Sequence, residues 1–467
     1  MRPHKPSFRY LFFPVVLFFF FSCQKQIDKP ALPEELSTSA NASKEQGHLK
    51  QTKTFSSEVV LKWMDMQLRV IRTTPAGMPP ATNSRLFAYS GVALYESVVP
   101  GMPAYQTLHG QLTDMPAMPP TENGKAYHWA AAANAALAYI SKQSFPNTLP
   151  VNKTSMDSLE NALNSAYQTE VNVSTFDRSV AFGKAVAQLI FQWSATDRSA
   201  TVWPPYTLPV GPGLWASTFP NFPAASTPYW GRNRLFVTES LNNSDPPLPP
   251  PYSTSNNSAY YNMMKEVYDI SQTLTTGQIN QALYYRDAPG YVSGGHYLSI
   301  LYQLLQNEQP SLDFSALAFA KSGMAIADAL IGCFQWKYAH VNGGTMTNTE
   351  RPITYIRGVM GYGDWIGKFN TPPHPDFPSG HSTTAGAAEI IFTHLFGHSY
   401  SFVNHTYDYL GMPPQPYTSF SDMAQQIGMS RIYAGIHTRY ACEAARTQGQ
   451  KIARNILKGI EFLKDSE

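Results

Sequence analysis

The sequence predicts an all-α fold, helical bundles that form one globular unit. Three observations carry the prediction. Apolar residues recur at helical spacing along most of the chain, no run alternates as a strand would, and no stretch repeats another. Of 467 residues, 43% are hydrophobic and 13% aromatic, enough to bury a large core, and 14% are charged, too few for a disordered chain. The net charge of +2 argues against a dedicated nucleic-acid binder.

Taken in order, the chain opens on a targeting segment. Arg2, His4, Lys5 and Arg9 form a basic region, and Leu11 to Phe21 is apolar but short for a membrane span. Phe21-Ser22-Cys23 looks like a bacterial lipoprotein cleavage site, with Cys23 lipidated; an ordinary secretory signal is the alternative. The expectation is a leader over 1–22, a lipid anchor at the bacterial cell envelope, and a flexible tether over 23–54. No later run reaches eighteen apolar residues. An N-terminal helical region, 55–202, carries helical patterns at 56–74, 83–99, 123–144, 155–170 and 174–196. Residues 203–255 are crowded with proline and aromatics. Trp203, Trp215, Phe219, Phe222, Tyr229 and Trp230 are costly to leave wet, so this reads as an ordered belt over the helices. A C-terminal domain, 256–467, follows with patterns at 258–270, 275–285, 294–306, 312–339, 381–396, 419–432 and 437–463. Cys333 and Cys442 fall in apolar stripes and read as buried thiols.

This last region holds residues suited to an oxyanion. In Phe377-Pro378-Ser379-Gly380-His381, small residues admit a close backbone, amides at a helix start point at an anion, and His381 stands titratable at the mouth. Ser379 offers a hydroxyl and an amide. Met423, Ala424, Ile427 and Arg431 share a helical face, and an arginine on an apolar face needs an anionic partner. Gly435 interrupts that helix and His437 starts another, with Ala441, Ala444 and Ala445 leaving room for its ring. Ile326, Leu330, Cys333 and Lys337 form a stripe ending on the lysine, and a polar loop, Val341 to Glu350, leads to Arg351-Pro352. Singly, His437 reads equally as a core histidine, and Lys337 or Arg351 as a solvated surface charge. Jointly they describe an anion site.

Lys337, Arg351-Pro352, Pro378-Ser379-Gly380-His381, Ser430-Arg431 and His437 together resemble the signature of the vanadium-dependent haloperoxidase and type 2 phosphatidic acid phosphatase superfamily, K-x6-RP, PSGH and SR-x5-H-x3-D. The surrounding residues are most similar to the bacterial haloperoxidase-like branch, strongly from about residue 256 onward and recognisably from about 55. The resemblance implies a haloperoxidase-like helical fold with vanadate as cofactor and hydrogen peroxide and halide as substrates. His437 would bind vanadium, Lys337, Arg351, Arg431, Ser379 and the Gly380 amide would hold its oxygens, and His381 would handle peroxide protons. The superfamily's other chemistry is an acid phosphatase, in which phosphate takes the place of vanadate, His437 attacks phosphorus and His381 protonates the leaving alcohol. A non-catalytic helical binding lipoprotein is a third reading.

Two positions depart from the pattern. Thirteen residues separate Lys337 from Arg351 where six are usual, and the final Asp is Ala441. Glu443 points about 200° around a helix from position 441 and is no obvious substitute. Two further residues are implied by the same resemblance. Asp287, in Arg286-Asp287-Ala288-Pro289-Gly290, would pair with Arg431. His374, seven residues before His381, stands where bromide oxidisers carry His and chloride oxidisers Phe, which favours bromide and iodide. An exposed loop Asp and an outward-turned loop His are the plainer alternatives.

Overall fold

Side-chain caps mark the starts of several helices. The structure, a computed structural model, describes residues 50–74, 82–287, 290–291, 294–339 and 347–464. The leader, Cys23, the tether as far as residue 49, Ala288-Pro289 and the loop 340–346 lie outside these. The N-terminal helices are α1 (Glu58–Thr73), α2 (Thr82–Val98), α3 (Trp129–Ser144), α4 (Pro150–Tyr167) and α5 (Val173–Ser194). Helix α3 starts later than its apolar pattern because the His128 ring accepts the Ala131 N–H and caps it there; Asn172 caps α5 in the same manner. The C-terminal helices are α6 (Ala259–Gln272), α7 (Thr276–Tyr284), α8 (Gly295–Glu308), α9 (Leu312–Lys337), α10 (Pro352–Gly358), α11 (Gly380–Phe396), α12 (Phe420–Tyr433) and α13 (Arg439–Gly459). Thr275 and Gln278 form a reciprocal capping box at α7, and Ser419 caps α12.

A short helix and a small hairpin escaped the sequence reading. The seven-residue α10 is too short to show a period. Strands β1 (Phe402–Asn404) and β2 (Gln415–Tyr417) form an antiparallel hairpin with Phe402 opposite Tyr417; three residues per strand cannot establish alternation. The packed body also begins before residue 55, since the buried Thr52 donates its hydroxyl to the Val98 carbonyl at 2.8 Å.

Helix α9 is the axis of the fold. It is apolar on all sides, which is the mark of a helix buried on all sides. It is long and apolar enough to cross a membrane, yet nearly all of it is buried within the protein. Helices α2, α11 and α13 all pack against it, and a single apolar cluster includes Phe87 and Val92, Phe319 and Ala320, and Ile391 and Ile452. Cys333 and Cys442 are both buried and free. The belt is fastened to α9 by the buried Asp328 carboxylate, which accepts the Phe236 and Val237 N–H groups at 2.8 and 3.1 Å. Trp215 and Trp230 are buried and Trp203 stacks on Tyr229, but Phe222 is 63% exposed, so the belt does not bury every aromatic it carries.

Helices α11 and α13 touch backbone to backbone. A Cβ added at Gly449 would lie 1.8 Å from the Thr383 carbonyl oxygen, and one at Gly386 would lie 2.2 Å from that of Arg446. Because helix backbone cannot yield cheaply there, Gly449→Ala is expected to destabilise the protein by about 2 kcal/mol, measured as a lower denaturation midpoint. An unchanged midpoint would show that the helices slide apart at no cost. Helix α11 begins in the candidate site, so this contact also sets where its first turn lies.

Candidate active site

Lys337 is the last residue of α9, and Arg351 immediately precedes α10. The buried segment 375–379 runs past both into α11, and Arg431 lies in the last turn of α12. Gly435, at φ +75°, then reverses the chain. His437 does not start the last helix, as its sequence context suggests. It stands in the connection, and Thr438 caps α13. The long spacing does not carry Lys337 away from these residues: its buried Nζ donates to the carbonyls of Pro375 (2.7 Å) and Asp376 (3.4 Å).

The hydrogen bonds around His437 determine its tautomer. Nδ1 lies 2.7 Å from Asp376 Oδ1, and Thr438 donates to the same carboxylate through its hydroxyl (2.8 Å) and its N–H (3.4 Å). Burial pushes Asp376 up to about 6, and these donors suit the ionised form. Nδ1 therefore carries the proton. Nε2 faces Arg351 Nη1 at 3.1 Å, and a guanidinium can only donate, so Nε2 presents a lone pair. Burial, with Arg351 and Lys337 adding to it, holds the His437 pKa well below the usual histidine range. Asp376 thus supplies the carboxylate that Ala441 lacks, whereas Glu443 is exposed. The sequence reading missed Asp376, although a carboxylate two residues before Pro378, in the segment that carries Ser379 and His381, was a usable signal.

His381 is held by a second carboxylate. Its Nε2 lies 2.8 Å from Asp287 Oδ2, while Oδ1 of the same group meets His296 Nδ1 at 2.8 Å and accepts from the Tyr407 hydroxyl at 2.7 Å. Asp287 accordingly hydrogen-bonds to two histidines and a tyrosine, not to Arg431 as the resemblance implied. Burial alone would raise Asp287, but His296 and His381 beside it hold it well below the usual carboxylate range. Burial and then Arg431 lower His381, against the pull of Asp287. His296 and Tyr407 were not legible as site residues, because nothing local relates them to His381.

Arg431, His437, His381, Gly380 and His374 line one cavity of about 290 Å³, with Phe334 and Phe369 among its apolar walls. Cavities of about 300 and 490 Å³ elsewhere have no histidine in their lining. His374 faces inward despite its flanking prolines: Nδ1 accepts from Arg351 Nη2 at 2.9 Å, which leaves its proton on Nε2, and its ring sits 5.7 Å from that of Phe334. Lys337, Arg351 and Ser379 form the layer behind. Arg351 spends its fork on the His374, Ile436 and Pro372 carbonyls and on the two histidine nitrogens. The Ser379 amide is also engaged, donating to the Ala441 carbonyl at 3.1 Å, while its hydroxyl caps α11. Arg431 donates through Nη1 to the Tyr285 carbonyl and stacks over Phe369, but its buried Nε has no partner among the described residues.

Residues 317–464 match the model of the VCPO second helical-bundle domain. The structure is similar to that of a bacterial vanadium-dependent iodoperoxidase, with 30% identity and a TM-score of 0.78, over 88% of this chain and 98% of that one. The chain belongs to the vanadium-dependent haloperoxidase family. The family's fold is shared more distantly with a bacterial vanadium-dependent chloroperoxidase. Its apo form matches at 15% identity and TM-score 0.62 over 82% of this chain and 95% of that one. Its holo form matches at 15% and 0.61, over 84% and 95%. Curated proteins offer no match.

The family implies vanadate, and the residues present fit it. An orphaned guanidinium Nε and an accepting imidazole Nε2 line the same cavity, one suited to an oxyanion's oxygen and the other to its metal. A Cβ at Gly380 would meet nothing within 4 Å, so the start of α11 has room in front of it. Burial lowers Lys337 to about 7 and Arg351 to about 10, and it lowers Arg431 as well; a bound anion would reverse all three shifts.

Proposed function

We propose that the protein is a vanadate-dependent haloperoxidase that oxidises bromide and iodide with hydrogen peroxide. The observation that carries this reading is the lone pair of His437 Nε2, fixed by Asp376, in the cavity that Arg431 and His381 also line and with the buried Lys337 and Arg351 in the layer behind it. Similarity to an iodoperoxidase supports it. When bound, vanadate supplies Lewis-acid activation of peroxide without a change in its own oxidation state. Lys337, Arg351, Arg431 and the Gly380 amide balance the anion's charge, and His437 offers Nε2 to the metal. Each halide oxidised by peroxide to hypohalous acid consumes one proton. His381 is placed to pass it through Nδ1, since Nε2–H is held by Asp287. Apolar walls at Phe334 and Phe369 limit the water around the site.

The His374 Nε2–H is the group suited to select the halide, because it can donate to bound peroxide or its neighbours where a phenyl ring would only exclude water. The wild type is expected to oxidise bromide and iodide with no appreciable chloride oxidation, and His374→Phe to alter that profile. Steady-state rates with the three halides check this; efficient chloride oxidation by the wild type, or an unaltered profile in the variant, removes His374 from halide choice.

A phosphatase reading keeps one specific support. The Asp376–His437 pair is also what a phosphohistidine mechanism needs, so the absence of Asp at position 441 does not count against it. Metal-stripped protein assayed with and without orthovanadate, for halide oxidation and for phosphomonoester hydrolysis, separates the two. Peroxidase activity that appears with vanadate and falls with competing phosphate is the expected result. Robust phosphatase activity with no peroxidase activity at any vanadate concentration overturns the proposal.

A further inference from the structure

We propose that Asn404, acting through His296 and together with Tyr407, fixes the ring tautomer of His381, which makes the β1–β2 hairpin a positioning element of the active site. The inference rests on the reading of His381 as the group that moves the peroxide proton.

It follows from the order of donors and acceptors along one buried chain of side chains. Asn404 Oδ1 accepts the Thr406 N–H at 3.0 Å and the Thr406 hydroxyl at 2.5 Å, so its amide nitrogen must be the atom turned toward His296. That nitrogen lies 3.0 Å from His296 Nε2, which is therefore an acceptor, and the ring's proton resides on Nδ1. Nδ1–H and the Tyr407 hydroxyl both point at Asp287 Oδ1, which leaves Oδ2 to receive Nε2–H of His381. His381 Nδ1 is thereby left bare for proton exchange.

Reversing any member has a defined consequence. Were His296 protonated on Nε2 instead, its Nδ1 lone pair would face Asp287 Oδ1, and the carboxylate would have to rotate or take a proton. His381 would then lose its acceptor. Asn404, Asp287, His296 and Tyr407 are all buried, so water cannot readily replace a missing donor. The Tyr284 hydroxyl donates to the Asn404 carbonyl at 2.9 Å and holds the strand in register with this chain. None of these residues lines the cavity, so they act through His381 and not on substrate.

The test reads the ring-nitrogen NMR shifts of His381 in the purified full protein, assigned by comparison with His381→Gln, in wild type, Asn404→Leu and Tyr407→Phe. Halide-oxidation kinetics and calorimetric vanadate affinity accompany each. The wild type is expected to show one tautomer, protonated on Nε2, and both variants a mixture. Their kcat is expected to fall about tenfold or more, as loss of an oriented acid–base group does, with vanadate affinity within about twofold of wild type. A wild-type ring protonated on Nδ1, an unchanged tautomer in the variants, or vanadate affinity falling in step with kcat overturns the proposal. If Asn404→Leu does not fold, Tyr407→Phe, which loses a single hydroxyl, carries the test. A wild type inactive with every halide would sink the role assigned to His381, whereas the tautomer measurement would still decide the inference.

Discussion

Asp376→Ala is expected to destabilise the vanadate-free protein by about 3 kcal/mol or more, because it leaves buried cations without their anion. Arg351 and Lys337 are fully buried and Asp376 is the carboxylate beside them, so its removal raises the cost of every positive charge in the layer. Denaturant unfolding with and without orthovanadate checks this, and vanadate should restore part of the loss by supplying negative charge at the same place. The affinity of the variant is set by two opposed effects. A more positive site attracts the anion, but His437 loses the acceptor that holds its proton on Nδ1. Removal of such a supporting group costs a metal site about ten- to a hundredfold, and that loss is expected to win because it acts on the imidazole proposed to bind the metal. Asp376→Asn tests the division: it keeps an acceptor for Nδ1–H without the charge, so it should lose stability while retaining most of the affinity. An alanine variant as stable as the wild type would show that Asp376 is protonated and compensates nothing.

Lys337→Met is expected to weaken vanadate binding by about 2 kcal/mol, or roughly thirtyfold, the contribution of a charge-assisted hydrogen bond. The variant also carries a pH signature. Burial places the Lys337 pKa at about 7, and a bound anion must raise it. Below pH 7 the lysine is already charged, and its protonation leaves affinity unaffected. Above pH 7 binding must take up a proton, so wild-type affinity falls by up to tenfold per pH unit until the pKa of the bound state is reached. Vanadate's own ionisation affects wild type and variant alike, so the difference between their calorimetric pH profiles isolates the lysine. Parallel profiles would mean that Lys337 does not sense the anion.

How far the site could be read from the chain depends on which contacts are local. The start of α11 was legible because a helix N-terminus is written in adjacent residues: Ser379 caps, Gly380 leaves space and His381 follows. The apolar stripe ending on Lys337 was legible for the same reason, since a period of 3.6 is visible within α9 itself. His437 was identified by its spacing from Arg431, but its place between helices was not, because the turn is made by Gly435 in a left-handed conformation. The family resemblance pairs Asp287 with Arg431, whereas in the structure it hydrogen-bonds His381, His296 and Tyr407. Nothing in Arg286 or Asp287 distinguishes a guanidinium in α12 from an imidazole in α11, and both lie close to it in the fold.

The sequence by itself determined the all-α class, the approximate extent of the long helices and most of the residues that gather around the candidate site, because helical period, caps and motif spacing are properties of short stretches. The tertiary structure alone decided which carboxylate meets which base. Asp376 reaches His437 across 61 residues, Asp287 reaches His381 across 94, and Asn404 reaches His296 across 108. Such pairings depend on how α9, α11 and α12 cross and on where a three-residue strand lies, and the free energy that fixes them is the burial of charges and hydrogen-bonding groups that can be satisfied in one arrangement only after the core has closed around them.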